Sequence, residues 1–132
     1  MKVILSPWKD DWRTLALSYR FPGVFRGKLL RFKTAWMGSL AVQPLRVDIG
    51  VNREGFYIRL ALFFLWSPSR YPPLFIPWND IAMTKEEIYR SCLLTIHAAK
   101  ASGITFQIEQ KVGDRLAGQA GALWPEIKET EP

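Results

Sequence analysis

Tyr71-Pro-Pro-Leu-Phe-Ile-Pro-Trp-Asn-Asp-Ile81 decides how the chain is read. Pro72 and Pro73 fix φ and remove two backbone donors, so this start is neither helix interior nor central sheet. Leu74, Ile76 and Trp78 then alternate with Phe75 and Pro77, the period of a strand. Pro77 lacks a ladder donor, so the strand is short or lies at an edge. Asn79 and Asp80 are turn residues, because their side chains bond nearby backbone N–H groups. Phe75, Ile76 and Trp78 are expected in a core. Tyr71 and Trp78 are also the aromatic candidates for lining a ligand or partner groove.

On the N-terminal side, Ser6-Pro7 reads as a helix start, a hydroxyl cap followed by proline at the first helical position. Trp8, Trp12, Leu15 and Tyr19 follow on one face, and Pro22-Gly23 ends the helix, expected over 8–19. From Lys28, Leu30, Phe32, Thr34 and Trp36 share one strand face, with Arg31 and Lys33 on the other. Leu45, Val47, Ile49 and Val51 alternate with Arg46, Asp48, Gly50 and Asn52. Asn52-Arg-Glu-Gly55 is a hairpin connection, with Gly55 suited to positive φ. Phe56, Ile58, Leu60, Leu62 and Phe64 return; the far end of this strand is apolar on both faces, an interaction site if nothing covers it.

On the C-terminal side, Lys85-Glu-Glu87 reads as a polar turn before one long strand from Ile88 to His97. Ile104, Phe106 and Ile108 form the next strand. The period then changes: Val112, Leu116, Ala120 and Leu123 make a helical stripe, with the helix expected over 111–121. Gly113 and Gly118 weaken that helix; Gly121 and Pro125 suit its end. Residues 126–132 are charged and expected to be a flexible tail. The expected fold is mainly β: seven antiparallel strands over 28–109, as a sandwich or partly open barrel, with a helix at each end. Residues 1–125 make one domain.

Composition limits the function. Residues 1–70 hold twelve Lys/Arg against four Asp/Glu, and residues 71–132 hold six against eight. No acid occurs between Asp11 and Asp48, where Arg13, Arg20, Arg26, Lys28, Arg31, Lys33 and Arg46 stand. A one-sided basic surface attracts phosphates of lipid or nucleic acid. Cys92 is the single cysteine, which excludes an internal disulfide. The longest apolar run, Leu60 to Trp66, is far short of the ~20 residues of a membrane span, and the first residues lack a signal-peptide core. The expected location is cytoplasmic.

Gly55-Phe-Tyr57 followed by Pro73-Leu-Phe-Ile-Pro-Trp-Asn-Asp-Ile81 resembles small bacterial proteins of pleckstrin-homology-like (GRAM-like) build, which have no agreed activity. Leu74, Ile76, Pro77, Asp80 and Ile81 fit their step between two sheets. The resemblance implies a seven-stranded, partly open barrel capped by the C-terminal helix, with the N-terminal helix as an addition. Some such domains bind phosphoinositides through a basic first hairpin loop; here that loop, Gly38 to Pro44, holds no Lys or Arg.

Nothing in the sequence points to catalysis. His97 is the only histidine; Cys92 lies five residues before it, on the opposite face if both share a strand. Phosphate-loop, dinucleotide and zinc-protease motifs are absent. No cofactor or metal is expected. The expected function is a non-catalytic interaction module, binding a protein or itself through apolar and aromatic surface near Tyr71 and Trp78. The alternatives are peripheral binding to anionic membrane through Arg26, Lys28, Arg31 and Lys33, and nucleic-acid binding through the same residues. Against nucleic acid, the alternation turns Phe32 and Trp36 into the core, away from Arg31 and Lys33.

Overall fold

A computed structural model of the chain describes residues 7–37, 44–62, 69–88, 91–101 and 103–129. Helix α1 (Pro7–Tyr19) is followed by β1 (Leu29–Met37), β2 (Pro44–Val51), β3 (Gly55–Leu60), β4 (Leu74–Pro77), β5 (Ile81–Ile88), β6 (Ser91–Ala98) and β7 (Thr105–Glu109). Helix α2 (Gln110–Ala120) and a short β8 (Ile127–Glu129) complete it. The strands form one curled sheet in the order β4-β3-β2-β1-β7-β6-β5-β8. The first seven pair antiparallel, as expected of a partly open barrel; β8 adds to β5 in parallel.

The alternation read from β2 holds, and that of β3 holds as far as Leu60; Leu62, expected on the same inner face, lies in a turn with φ 54° and is exposed. Leu45, Val47, Ile49 and Val51 are buried with Phe56, Ile58 and Leu60 on the concave side. α2 packs against β2, β6 and β7 and buries Val112 and Leu116 there. Its stripe stops earlier than expected: Leu123 is exposed, because Gly121 (φ 60°) ends the helix and a 3₁₀ turn follows. Gly113, expected only as a weak point, is buried where α2 meets the sheet; a Cβ there would collide with Leu94 Cδ1.

α1 flanks the sheet, as expected, and is packed firmly onto it. It lies on β4 and on the 3₁₀ turn Ala99–Ala101. Trp8, Trp12, Leu15 and Tyr19 are all buried, and the Trp12 indole N–H donates to the Pro72 carbonyl at 2.8 Å. The Tyr19 hydroxyl donates to Asp80 Oδ2 at 2.9 Å and accepts the Lys100 N–H at 2.9 Å. One phenol thus ties α1 to the β4–β5 corner and to the end of β6. Beyond it, Arg20 bridges Leu74, and the Phe21 N–H donates to the Pro73 carbonyl at 2.9 Å, which covers part of the β4 edge.

Several local expectations change. Lys85–Glu87 is no turn: it pairs with Leu94, Leu93 and Cys92, so the expected single strand is the β5–β6 hairpin. Three charged residues in a row read as a turn, yet they lie within a paired strand, and Glu86 accepts a hydrogen bond from Thr95 at 3.0 Å on its partner strand. Gly55 does not adopt positive φ. It opens β3, where a Cβ would strike the Ile76 carbonyl and Pro77. The turn is made by Asn52, whose Oδ1 accepts from the Glu54 and Gly55 N–H groups. Within the expected tail, Ile127–Glu129 forms β8. Ser6, the far end of the Phe56–Phe64 strand beyond Leu62 and most of the Gly38–Pro44 loop lie outside the described residues.

Burial raises the phenol pKa of Tyr19 above its ordinary 10; the Lys100 N–H bond opposes this and the Asp80 carboxylate adds to it. Burial raises Tyr57 likewise, partly opposed by Arg59. Above pH 10 an unfolded tyrosine releases a proton that these native phenols still hold. Stability is therefore fully present below pH 10 and falls as pH rises from there through the raised native values. Urea melts between pH 8.5 and 11 should show a steep loss in wild type and a shallower one in Tyr19→Phe/Tyr57→Phe.

Candidate functional site

β1 does not alternate throughout. Leu30 pairs with Ile49, but Lys33 pairs with Val47, so Arg31 and Phe32 together oppose Asp48. This is a β-bulge, and it reverses the expected facing of the rest of the strand. Ala35 and Met37 enter the core in place of Phe32, Thr34 and Trp36. Phe32 takes a left-handed backbone (φ 58°) and is 55% exposed. Trp36 pairs with Gln107 on the convex side and is half-buried. Arg31 and Lys33 no longer share a face: Lys33 alternates with Ala35 and Met37 and is half-buried.

Asp48 holds the bulge. It is 4% exposed on the convex side, although β2 is otherwise apolar or basic there. Its Oδ1 accepts the Phe32 N–H at 2.9 Å, and its Oδ2 accepts Arg59 Nε at 3.0 Å. The first bond satisfies an amide displaced from the ladder; the second neutralises the carboxylate. Arg46 sits beside them. Its guanidinium lies 5.9 Å from the Phe32 ring centre and donates to Thr34 Oγ1 at 2.6 Å.

The rest of this convex face is closed by aromatic rings. Phe25 stacks on Tyr57 at 4.6 Å, and Phe21 packs edge-on to Tyr57 and tilted against Phe75. Gly50 makes room for Phe25: a Cβ there would lie 2.6 Å from the ring. The segment 21–28 is thereby laid over β2 and β3, and Asn52 Nδ2 fixes it by donating to the Arg26 carbonyl at 3.1 Å. Phe32, Thr34, Trp36 and Arg46 remain as a strip beyond this cover.

The residues singled out from the sequence do not form one site. Arg26 and Lys28 are exposed on the 21–28 segment, Arg31 is exposed within the bulge, and Lys33 turns to the other side. Tyr71 packs against Trp8 at 5.6 Å. Trp78 donates its indole N–H to the Asn52 carbonyl at 3.0 Å and meets Trp124 edge-on. Both rings serve the core's margin. Cys92 is half-buried, with Sγ 3.8 Å from Gln110 Oε1, and His97 Nε2 lies 3.3 Å from Thr84 Oγ1 on the opposite face. Among the described residues no group of His, Cys, Asp and Glu could hold a metal ion. No helix among them is long and apolar enough to cross a membrane.

Sequence reasoning passed over Asp48, Arg59 and the outward Phe32. One signal was present: Asp48 is the only acid between Asp11 and Glu54. A lone acid in a basic strand marks an ion pair or a backbone clamp. Neither a protein-family model nor a curated protein matches the chain.

Proposed function

We propose that the chain is a non-catalytic interaction module that binds an acidic segment of a partner protein on the convex face of β1 and β2. The observation that carries this reading is Phe32, held left-handed and exposed by a buried carboxylate. Left-handed backbone costs a non-glycine residue about 1–2 kcal/mol. The core does not need it, since Leu30, Ala35 and Met37 fill β1's concave side. Strain kept where packing does not require it is a mark of function. An aromatic flanked by arginines (Arg31 and Arg46) is the composition of an interface hot spot. The flanking charge selects acidic partners. The seven-strand order closed by α2 supports the pleckstrin-homology-like reading of the build.

Nucleic acid is served less well. Base stacking uses several open rings in series, whereas Phe32 already has Arg46 against it and Trp36 is half-buried. A second copy would bring basic surface onto basic surface, in a chain of net charge +6.

Phe32→Gly separates binding from folding, because glycine takes this backbone freely. The variant should melt no lower than wild type. Peptides selected by display on the wild-type protein should be acidic with an aromatic or aliphatic anchor, and should bind Phe32→Gly at least tenfold more weakly. Selected peptides that bind both proteins equally would overturn the proposal. So would a single-stranded oligonucleotide that binds more tightly than any acidic peptide.

A further inference from the structure

A cleft of about 540 Å³ lies between α1 and the residues that lead into β4. Arg13, Ser18 and Arg20 line it from the helix side, and Ser69 and Arg70 from the other. Ala16 and Leu17 supply its apolar part, and no acid lines it. Its size suits a small ligand. The arrangement follows from the helix period: Arg13, Leu17 and Arg20 are spaced four and three, while Trp8, Trp12, Leu15 and Tyr19 face the barrel.

Across the cleft, Arg20 Nη2 donates to the Ser69 carbonyl at 2.9 Å. That uses one of five guanidinium donors. Arg13 lies 4.0 Å from Asp10, but this pair is solvent-exposed and weak. Three arginines therefore line one cleft with no acidic residue in its lining. An anion bound in the cleft would meet positive charge from both walls. Arginine forks match phosphate oxygens in pairs, and serine hydroxyls add neutral donors. Leu17, 87% exposed, places an apolar surface beside the charges.

We propose that this cleft binds a phosphate group attached to an apolar moiety, with Arg13, Arg20 and Arg70 as the phosphate contacts and Leu17 against the apolar part. The site is separate from the Phe32 surface and does not depend on its function. Two sources share this chemistry, a soluble phosphorylated molecule and a lipid headgroup.

The test uses the full chain with pyrophosphate as probe, by titration calorimetry at low salt. Wild type should saturate at one site, and Arg13→Gln/Arg70→Gln should bind at least tenfold more weakly with an unchanged melting temperature. Arg26→Gln/Lys28→Gln removes the same charge elsewhere and should stay within twofold of wild type. Absence of saturable binding to wild type would overturn the proposal; so would equal losses in the two double variants, which would mean diffuse attraction. Vesicles of phosphatidylglycerol and phosphatidylcholine then distinguish the source. Vesicle binding that pyrophosphate displaces and Arg13→Gln/Arg70→Gln abolishes assigns the phosphate to a headgroup. Pyrophosphate binding without vesicle binding assigns it to a soluble ligand.

Discussion

Replacing Trp12 by alanine should cost about 3–5 kcal/mol of folding free energy, the range for emptying a buried aromatic site. Trp12 is fully buried, packs edge-on to Trp8 at 6.4 Å and bonds the Pro72 carbonyl. Its loss would open a cavity between α1 and the barrel and orphan that carbonyl. Against a total of about 5–15 kcal/mol, this is a large fraction of the protein's stability. A fall of roughly 15 °C in Tm is expected. Trp12→Phe keeps most of the volume and loses the hydrogen bond, so it should cost about 1–2 kcal/mol. Equilibrium urea unfolding measures both. A cost below about 1 kcal/mol for Trp12→Ala would show that α1 only decorates the sheet.

Asp48→Ala should be the second large effect, about 3 kcal/mol, because it removes one partner of a mostly buried ion pair and the acceptor of the Phe32 amide at once. Asp48→Asn keeps an acceptor for that amide but presents no charge to Arg59. It should cost about half as much. A double-mutant cycle with Arg59→Ala isolates the pair, with an expected coupling of roughly 1–3 kcal/mol. Faster hydrogen exchange at the Phe32 amide in Asp48→Ala than in Asp48→Asn would report the bulge directly. Equal exchange in the two variants would mean that Asp48 acts only through Arg59.

Asp48 and Phe32 also connect stability to the proposed binding surface. Asp48 lies in the middle of β2, and its two oxygens reach the neighbouring strands on either side. Asp48→Ala should thus weaken binding as well as folding, whereas Phe32→Gly should weaken binding alone. That difference separates a ring that makes contact from a carboxylate that positions it.

Most of the architecture was legible in the sequence because it depends on periods. The four-three-four spacing from Trp8 to Tyr19 specifies one helical face; the alternation in Leu45–Val51 specifies a strand face; Pro72, Pro73 and Pro77 confine Leu74–Pro77 to a short strand, and the sheet places it at an edge. These follow from backbone geometry and hold wherever the element is packed. The candidate surface was not legible in this way. A bulge inserts one residue and exchanges the two faces of a strand without changing its composition. Phe32 therefore looked like core, and Arg31 and Lys33 looked like neighbours. Tertiary structure decided where Phe32 points, because only the pairing of β1 with β2 places Arg31 and Phe32 against one carboxylate. It also decided that Arg13, Arg20 and Arg70 meet, since the packing of α1 beside β4 brings together charges up to 57 residues apart.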